Sequence, residues 1–164
     1  MRILLFNSNL ISWKPSPISI EVNEDAVMWA TDGMDDNSVA FAARLMEMNI
    51  ETRIVDKEIS LSGYDLSRGS VVVIGMDNPE IINLHEIVKN IASDLEISIT
   101  SLDSGFGPEE LPDWGGRHFR LLEKPQIAIL SHEGFNSYDV GGSWWALDHH
   151  LGIRHSQINT SIIN

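Results

Sequence analysis

Residues 131–142, SHEGFNSYDVGG, combine polar, titratable and glycine residues that could bind a ligand or take part in catalysis. The stretch directly follows QIAIL, an apolar run typical of a buried strand, and it leads into a predicted helix. In parallel α/β sheets, ligands lie beside the carboxyl ends of the strands, where such loops are found. The sequence therefore predicts a ligand-binding loop formed by Ser131, His132, Glu133, Gly134, Ser137, Tyr138, Asp139, Gly141 and Gly142.

Two kinds of chemistry are open to this loop. Ser131, His132 and Glu133 could be interpreted as nucleophile, base and acid, but neighbours in sequence seldom reach the geometry of a catalytic triad. Helix capping and hydrogen bonding within the loop explain the same residues more simply. The two glycines at 141 and 142 would let an anionic ligand approach the helix N-terminus. We therefore assign no catalytic residue, and a small hydrolase using His132, Glu133 or Asp139 is the alternative.

Three histidines close to the loop, His149, His150 and His155, raise the question of a metal site. The first two are adjacent, so on a helix their side chains point about 100° apart and do not readily share one ion. The third follows Gly152, which is expected to end the helix. A zinc site would need an acid from Asp148, Asp139 or Glu133.

A packing helix explains the same segment more simply than a metal site. Apolar residues recur at helical spacing through it, which predicts a helix packed on a sheet. The stripe consists of Val140, Trp144, Leu147 and Leu151. The histidines then lie on the flank of this helix, and we predict neither a bound metal nor a cofactor.

Composition excludes several classes of protein. The 164-residue chain has 24 acidic and 11 basic side chains, a net charge of −13, which argues against nucleic acid or an anionic membrane as a partner. It has no cysteine, so disulfides, thiolate metal sites and cysteine nucleophiles are excluded. It also lacks the HExxH, GxSxG and phosphate-loop motifs. No apolar stretch is long enough to span a membrane, so we expect a soluble protein, and the cysteine content fits both cytoplasm and export.

Strands and helices alternate along the chain. Apolar runs predict strands at residues 26–31, 51–56, 70–75, 97–103 and 126–130, with another near residue 155. Helical spacing predicts helices over residues 38–48, after Pro79 and in the segment after the loop. The alternation predicts an α/β fold with a mainly parallel sheet and flanking helices. We divide the chain into an irregular N-terminal segment (1–21), an α/β subdomain (22–104), a connecting loop (105–124) and a βαβ unit (125–164).

Two segments resemble a known family. RGSVVVIGMDNPEIINLHEIVKNIA and GGRHFRLLEKPQIAILSHEGFNSYDVGGSWWALDHHLGIRHSQINT are similar to the region downstream of the catalytic domain in some bacterial zinc carboxypeptidases. The resemblance covers about residues 25–160. It is carried by a strand, a glycine-rich loop and a helix that contain Pro125, Ile127, Ala128, Gly142, Trp145, Leu151 and Gly152.

The resemblance implies a class I glutamine amidotransferase-like, flavodoxin-like fold, of which residues 125–164 would form only a first strand, helix and second strand. The zinc ligands of the carboxypeptidases belong to an upstream domain, and the glutaminases need a cysteine that this chain lacks. Neither set of catalytic residues maps onto this sequence. We therefore expect an incomplete fold and a fragment or accessory domain without catalytic activity. Its exposed sheet edge would pair with a second copy or a partner protein.

Overall fold

The structure, a computed structural model, describes residues 17–61, 63–104 and 116–162. The first two of these ranges and the start of the third contain seven strands: β1 (Met28–Ala30), β2 (Thr52–Val55), β3 (Ile59–Leu61), β4 (Tyr64–Leu66), β5 (Val71–Ile74), β6 (Thr100–Leu102) and β7 (Phe119–Leu121). Five of them form the main sheet in the order β6-β1-β5-β2-β7, and every neighbouring pair in it is antiparallel.

The prediction of a mainly parallel sheet is therefore wrong for this part of the chain. β1 and β2 are joined by helix α1 (Asn37–Glu47) and run the same way, but β5 lies between them in the opposite direction. β5 and β6, joined by helix α2 (Leu84–Leu95), are separated in the same manner by β1. In this split βαβ arrangement, strands that alternate with helices in sequence become antiparallel neighbours in space. The coarser assignment to the α/β class is confirmed.

Both faces of the main sheet are covered. On one face Trp29, Phe41 and Val88 belong to a large buried cluster that joins the sheet to α1 and α2. On the other face the antiparallel hairpin β3–β4 contributes Ile59 and Leu66 to a second buried cluster. The sequence LSGYDLSRG predicts a loop here because of its turn residues, but its first residue ends β3 and its residues Tyr64–Leu66 form β4.

Helix α2 begins later than Pro79 suggests. Asn78, the residue directly before Pro79, is 6% exposed and joins the end of β5 to Glu51, the residue before β2. Its amide oxygen accepts a hydrogen bond from the Glu51 backbone N–H (2.7 Å), and its amide nitrogen donates to the carbonyls of Glu51 (2.9 Å) and Ile74 (3.0 Å). The predicted apolar stripe is nevertheless buried from the first helical turn onward, at Leu84, Val88, Ile91 and Leu95.

The remaining described residues form a βαβ unit: β8 (Ile127–Ser131), α3 (Ser137–Trp145), a π-helical turn (Ala146–Leu151) and β9 (His155–Asn159). β8 and β9 are parallel, with Ile127 opposite His155. Leu151 packs against the large cluster of the main sheet, and Ile153 is buried. No residue of α3 itself is fully buried, so this helix packs less tightly than its sequence stripe predicts.

The predicted boundaries of the N-terminal segment and of the connecting loop lie partly outside the described residues. Residues 1–16 and 105–115 lie outside the described residues, and residues 17–21 of the predicted irregular segment contain neither helix nor strand. Within the predicted connecting loop, 105–124, Phe119–Leu121 forms β7 at the edge of the main sheet. Across the described ranges no helix is both long and apolar enough to cross a membrane.

Candidate functional site

A cleft of about 410 Å³ opens at the carboxyl end of β8, where the predicted loop, α3 and β9 meet. It is lined by Ser131, His132, Phe135, Ser137, Val140, Gly141, Trp144 and Gln157. Four of the nine residues predicted for a ligand site are in this lining: Ser131, His132, Ser137 and Gly141. The other five, Glu133, Gly134, Tyr138, Asp139 and Gly142, do not line it.

Ser131 and His132 are neighbouring residues in the lining of the cleft. Ser131 is the last residue of β8 and is 5% exposed, and its hydroxyl lies 2.8 Å from Nδ1 of His132. His132 has φ of +79°, in the left-handed region that residues with a Cβ rarely adopt. Strained backbone of this kind is concentrated at functional sites. The conformation turns the chain at the end of the strand and sets the imidazole beside the serine.

Asn136 fixes the start of the helix that forms one wall. Its side-chain oxygen accepts a hydrogen bond from the Tyr138 backbone N–H at 2.9 Å, and its carbonyl accepts one from Val140 at 3.1 Å. Asparagine is among the preferred helix-capping residues because its short side chain can reach the free N–H groups of the first turn. The predicted capping role of the loop is thus carried out by a residue outside the predicted ligand set.

The loop carboxylates do not complete a triad with the serine and histidine. Glu133 and Asp139 are exposed, and in the described part of the chain neither side chain pairs with His132. Tyr138 is 87% exposed and also points away from the lining. The geometry is a serine–histidine pair in which the imidazole is bonded through Nδ1, and within the described residues its other nitrogen, Nε2, has no hydrogen-bond or ion-pair partner.

Sequence reasoning missed four lining residues: Phe135, Val140, Trp144 and Gln157. Phe135 and Trp144 are 45% and 37% exposed and supply aromatic surface. Gln157 lies on β9, directly opposite Ile129 in the parallel pairing. The signal for Gln157 was available, because a βαβ unit sets the second strand beside the first. Trp144 was assigned to the packing stripe, since helical spacing does not distinguish a packed face from the wall of a cleft.

The histidines near the cleft do not converge. His149 contacts two tryptophans, with ring centroids 5.3 Å from Trp144 and 6.1 Å from Trp145. Nδ1 of His155 lies 3.1 Å from its neighbouring backbone carbonyl at Ile153. In residues 17–61, 63–104 and 116–162 no group of three or more His, Asp or Glu residues could hold a metal ion. The donor set of these residues therefore does not fit a zinc ion.

Comparison with protein-family models, with curated proteins and with solved structures finds no match for the chain. The resemblance to the carboxypeptidase regions therefore depends on the sequence patterns alone. The cleft and the surfaces around it are the features of the structure that bear on function.

Proposed function

We propose that the chain is a non-catalytic accessory domain, related to the C-terminal regions of bacterial zinc carboxypeptidases, that binds a small ligand in the cleft of its βαβ unit. The observation that supports this most directly is the cleft of about 410 Å³ at the carboxyl end of β8. Small-molecule sites usually occupy roughly 300–1,000 Å³ and combine apolar walls with a few polar groups. Ligands of α/β proteins also tend to bind at this end of a strand.

The lining favours a ligand with an apolar or aromatic body and one polar or anionic end. The apolar wall consists of Phe135, Val140 and Trp144. The polar groups are Ser131, His132, Ser137 and Gln157, which can donate hydrogen bonds to a carboxylate or carbonyl oxygen. Because the two loop carboxylates are outside the lining, a cationic group would find no counter-ion within the cleft.

The ligand class is tested with two matched probes, N-acetyl-L-phenylalanine and its neutral amide. Trp144 lines the cleft whereas Trp145, the next residue, does not, so intrinsic fluorescence can report binding. We expect a saturable fluorescence change with the acid and a weaker response with the amide. The Trp144→Phe variant should lose the change, and Trp145→Phe should keep it. No saturable change with either probe, or a response that follows Trp145, would reject this site.

The alternative, a small hydrolase, is favoured by one observation, the 2.8 Å contact between the Ser131 hydroxyl and His132. We expect no turnover of p-nitrophenyl acetate above the buffer rate, because none of the described carboxylates orients the imidazole and bonding through Nδ1 is the opposite of the usual triad. Turnover that disappears in His132→Ala with the fold intact would establish the hydrolase instead. Glu133→Ala and Asp139→Ala then show whether either acid takes part.

Docking is the second part of the proposed accessory role. The βαβ unit exposes several large apolar side chains, and such side chains are candidates for protein–protein contact. They are Leu130, Phe135, Tyr138, Trp144 and Trp145. The unit also has a strand edge open for pairing with a second copy or a different protein.

A further inference from the structure

The edge of β8 that faces away from β9 has no neighbouring strand in the described part of the chain. The segment Ile127–Ser131 begins with four apolar residues in succession, which is typical of strands covered on both faces. Here only one face is covered, because Ile129 is buried whereas Ala128 is exposed and Leu130 is 43% exposed. An open strand edge beside an uncovered apolar face is a site for strand addition.

The charges around β8 bear on what can cover it. The chain has a net charge of −13, so most contacts between two copies would set acidic groups against one another. The stretch from Pro125 to Ser131 contains no charged side chain. Lys124 comes before the strand, directly after Glu123 and 3.1 Å from the Glu47 carboxylate, and Glu133 comes after it.

We infer that a second copy of this chain pairs antiparallel along the free edge of β8, about a two-fold axis at Ile129. The inference rests on the docking role proposed above and identifies the docking partner as a second copy of the chain. In this register the Lys124 end of each strand lies beside the Glu133 end of the other, which gives the 38% exposed Lys124 side chain a second carboxylate besides Glu47. A parallel pairing would oppose like charges, and a two-fold axis perpendicular to the sheet excludes it.

The same register is complementary in side-chain size. Ile129 lies opposite Ile129 of the second copy on the face covered by α3. Ala128 lies opposite Leu130 of the second copy on the exposed face, so a small side chain meets a large one twice. Cross-strand pairs of this kind are the main source of side-chain stabilisation between antiparallel strands. Pairing would also bring the two α3 helices onto the same face of the resulting four-stranded sheet.

The test is the molar mass of the full chain, measured by size exclusion with light scattering from micromolar to millimolar concentration. We expect the mass to rise to twice the 18.3 kDa of one chain. Leu130→Lys should remain monomeric, because it sets two like charges close together across the edge. Leu121→Lys is the matched control: Leu121 is 48% exposed on the edge strand β7, and this variant should dimerise like the unchanged chain.

The register is tested with engineered cysteines, which are unique because the chain has none. The double variant Ala128→Cys and Leu130→Cys should oxidise to a covalent dimer, and each single variant should form much less. A chain that stays monomeric at millimolar concentration, or a dimer that survives Leu130→Lys, would overturn the inference. The fluorescence titration distinguishes the two proposals. A chain that stays monomeric but still binds N-acetyl-L-phenylalanine would contradict the dimer and leave the ligand site standing.

Discussion

Replacing Gly33 with alanine is expected to lower the free energy of unfolding by at least about 3 kcal/mol. Gly33 lies in the turn after β1, where the chain crosses the turn before β5. A Cβ at this position would lie 2.3 Å from the backbone carbon of Gly69, 2.3 Å from the nitrogen of Ser70 and 2.6 Å from the oxygen of Arg68. All three are backbone atoms, so no side chain can move away to relieve the overlap.

The crossing is also held by hydrogen bonds that fix its geometry. The Gly33 N–H lies 3.1 Å from the hydroxyls of Ser67 and Ser70, and the Ser67 hydroxyl donates to Asp32 at 2.6 Å. Separation of the two turns to admit a methyl group would stretch these bonds. It would also disturb the pairing of β1 with β5, the central strand of the main sheet.

The matched control is Gly142→Ala, the same change in the interior of α3. A Cβ there meets nothing within 4 Å, and the helix gains the better helix former, so we expect a stabilisation of about 0.5–1 kcal/mol. Urea unfolding followed by circular dichroism measures both variants. Equal effects of the two substitutions, or a Gly33→Ala protein as stable as the unchanged chain, would contradict the backbone contact.

Local patterns in the sequence located most elements but not their order in the sheet. The strands β1, β2, β5, β6 and β8 fall within predicted segments, apart from one residue at the end of β8, because hydrophobic periodicity is a property of neighbouring residues. Strand order depends on which strand is inserted between two others in the sheet, and short-range sequence patterns contain no information about that long-range pairing. The turn residues of the hairpin β3–β4 led to the prediction of a loop. This hairpin connects β2 to β5, which is antiparallel to β2 in the sheet.

The candidate site shows the same division between local and distant information. Ser131 and His132 were predicted because they follow an apolar strand directly. The aromatic wall of the cleft was not predicted, since the spacing of Trp144 also fits a packed helix face. The +79° φ of His132 could not be anticipated, because left-handed backbone is expected at glycine and asparagine rather than at histidine.

The last prediction concerns Glu47, whose carboxylate joins the βαβ unit to the main sheet. It is the final residue of α1 and its side chain is 12% exposed. One oxygen accepts the Arg154 backbone N–H at 3.1 Å, and the other lies 3.1 Å from Nζ of Lys124 and 3.5 Å from Nε of Arg154. Lys124 precedes β8 and Arg154 precedes β9, so one carboxylate holds the start of both strands against α1.

Burial alone would raise the pKa of the Glu47 carboxyl, but the Lys124 ammonium, the Arg154 N–H and the two positive charges together lower it below its ordinary value. A carboxyl whose pKa is lower in the folded state adds stability above its unfolded pKa, and this stability is lost as the pH falls through the folded value. The contribution should therefore be complete at neutral pH and disappear in acid.

Glu47→Gln keeps an oxygen for the Arg154 N–H and removes the charge. We expect it to lower stability at neutral pH by about 1–2 kcal/mol, since Lys124 and Arg154 are partly or largely exposed and can be hydrated again. Amide hydrogen exchange should accelerate in β8 and β9 more than in β1 and β5, because the carboxylate joins two units. Glu58→Gln, the same change on an exposed side chain outside the βαβ unit, should leave both measurements unchanged. A stability difference between Glu47→Gln and the unchanged chain that persists in acid would show that the charge is not its cause.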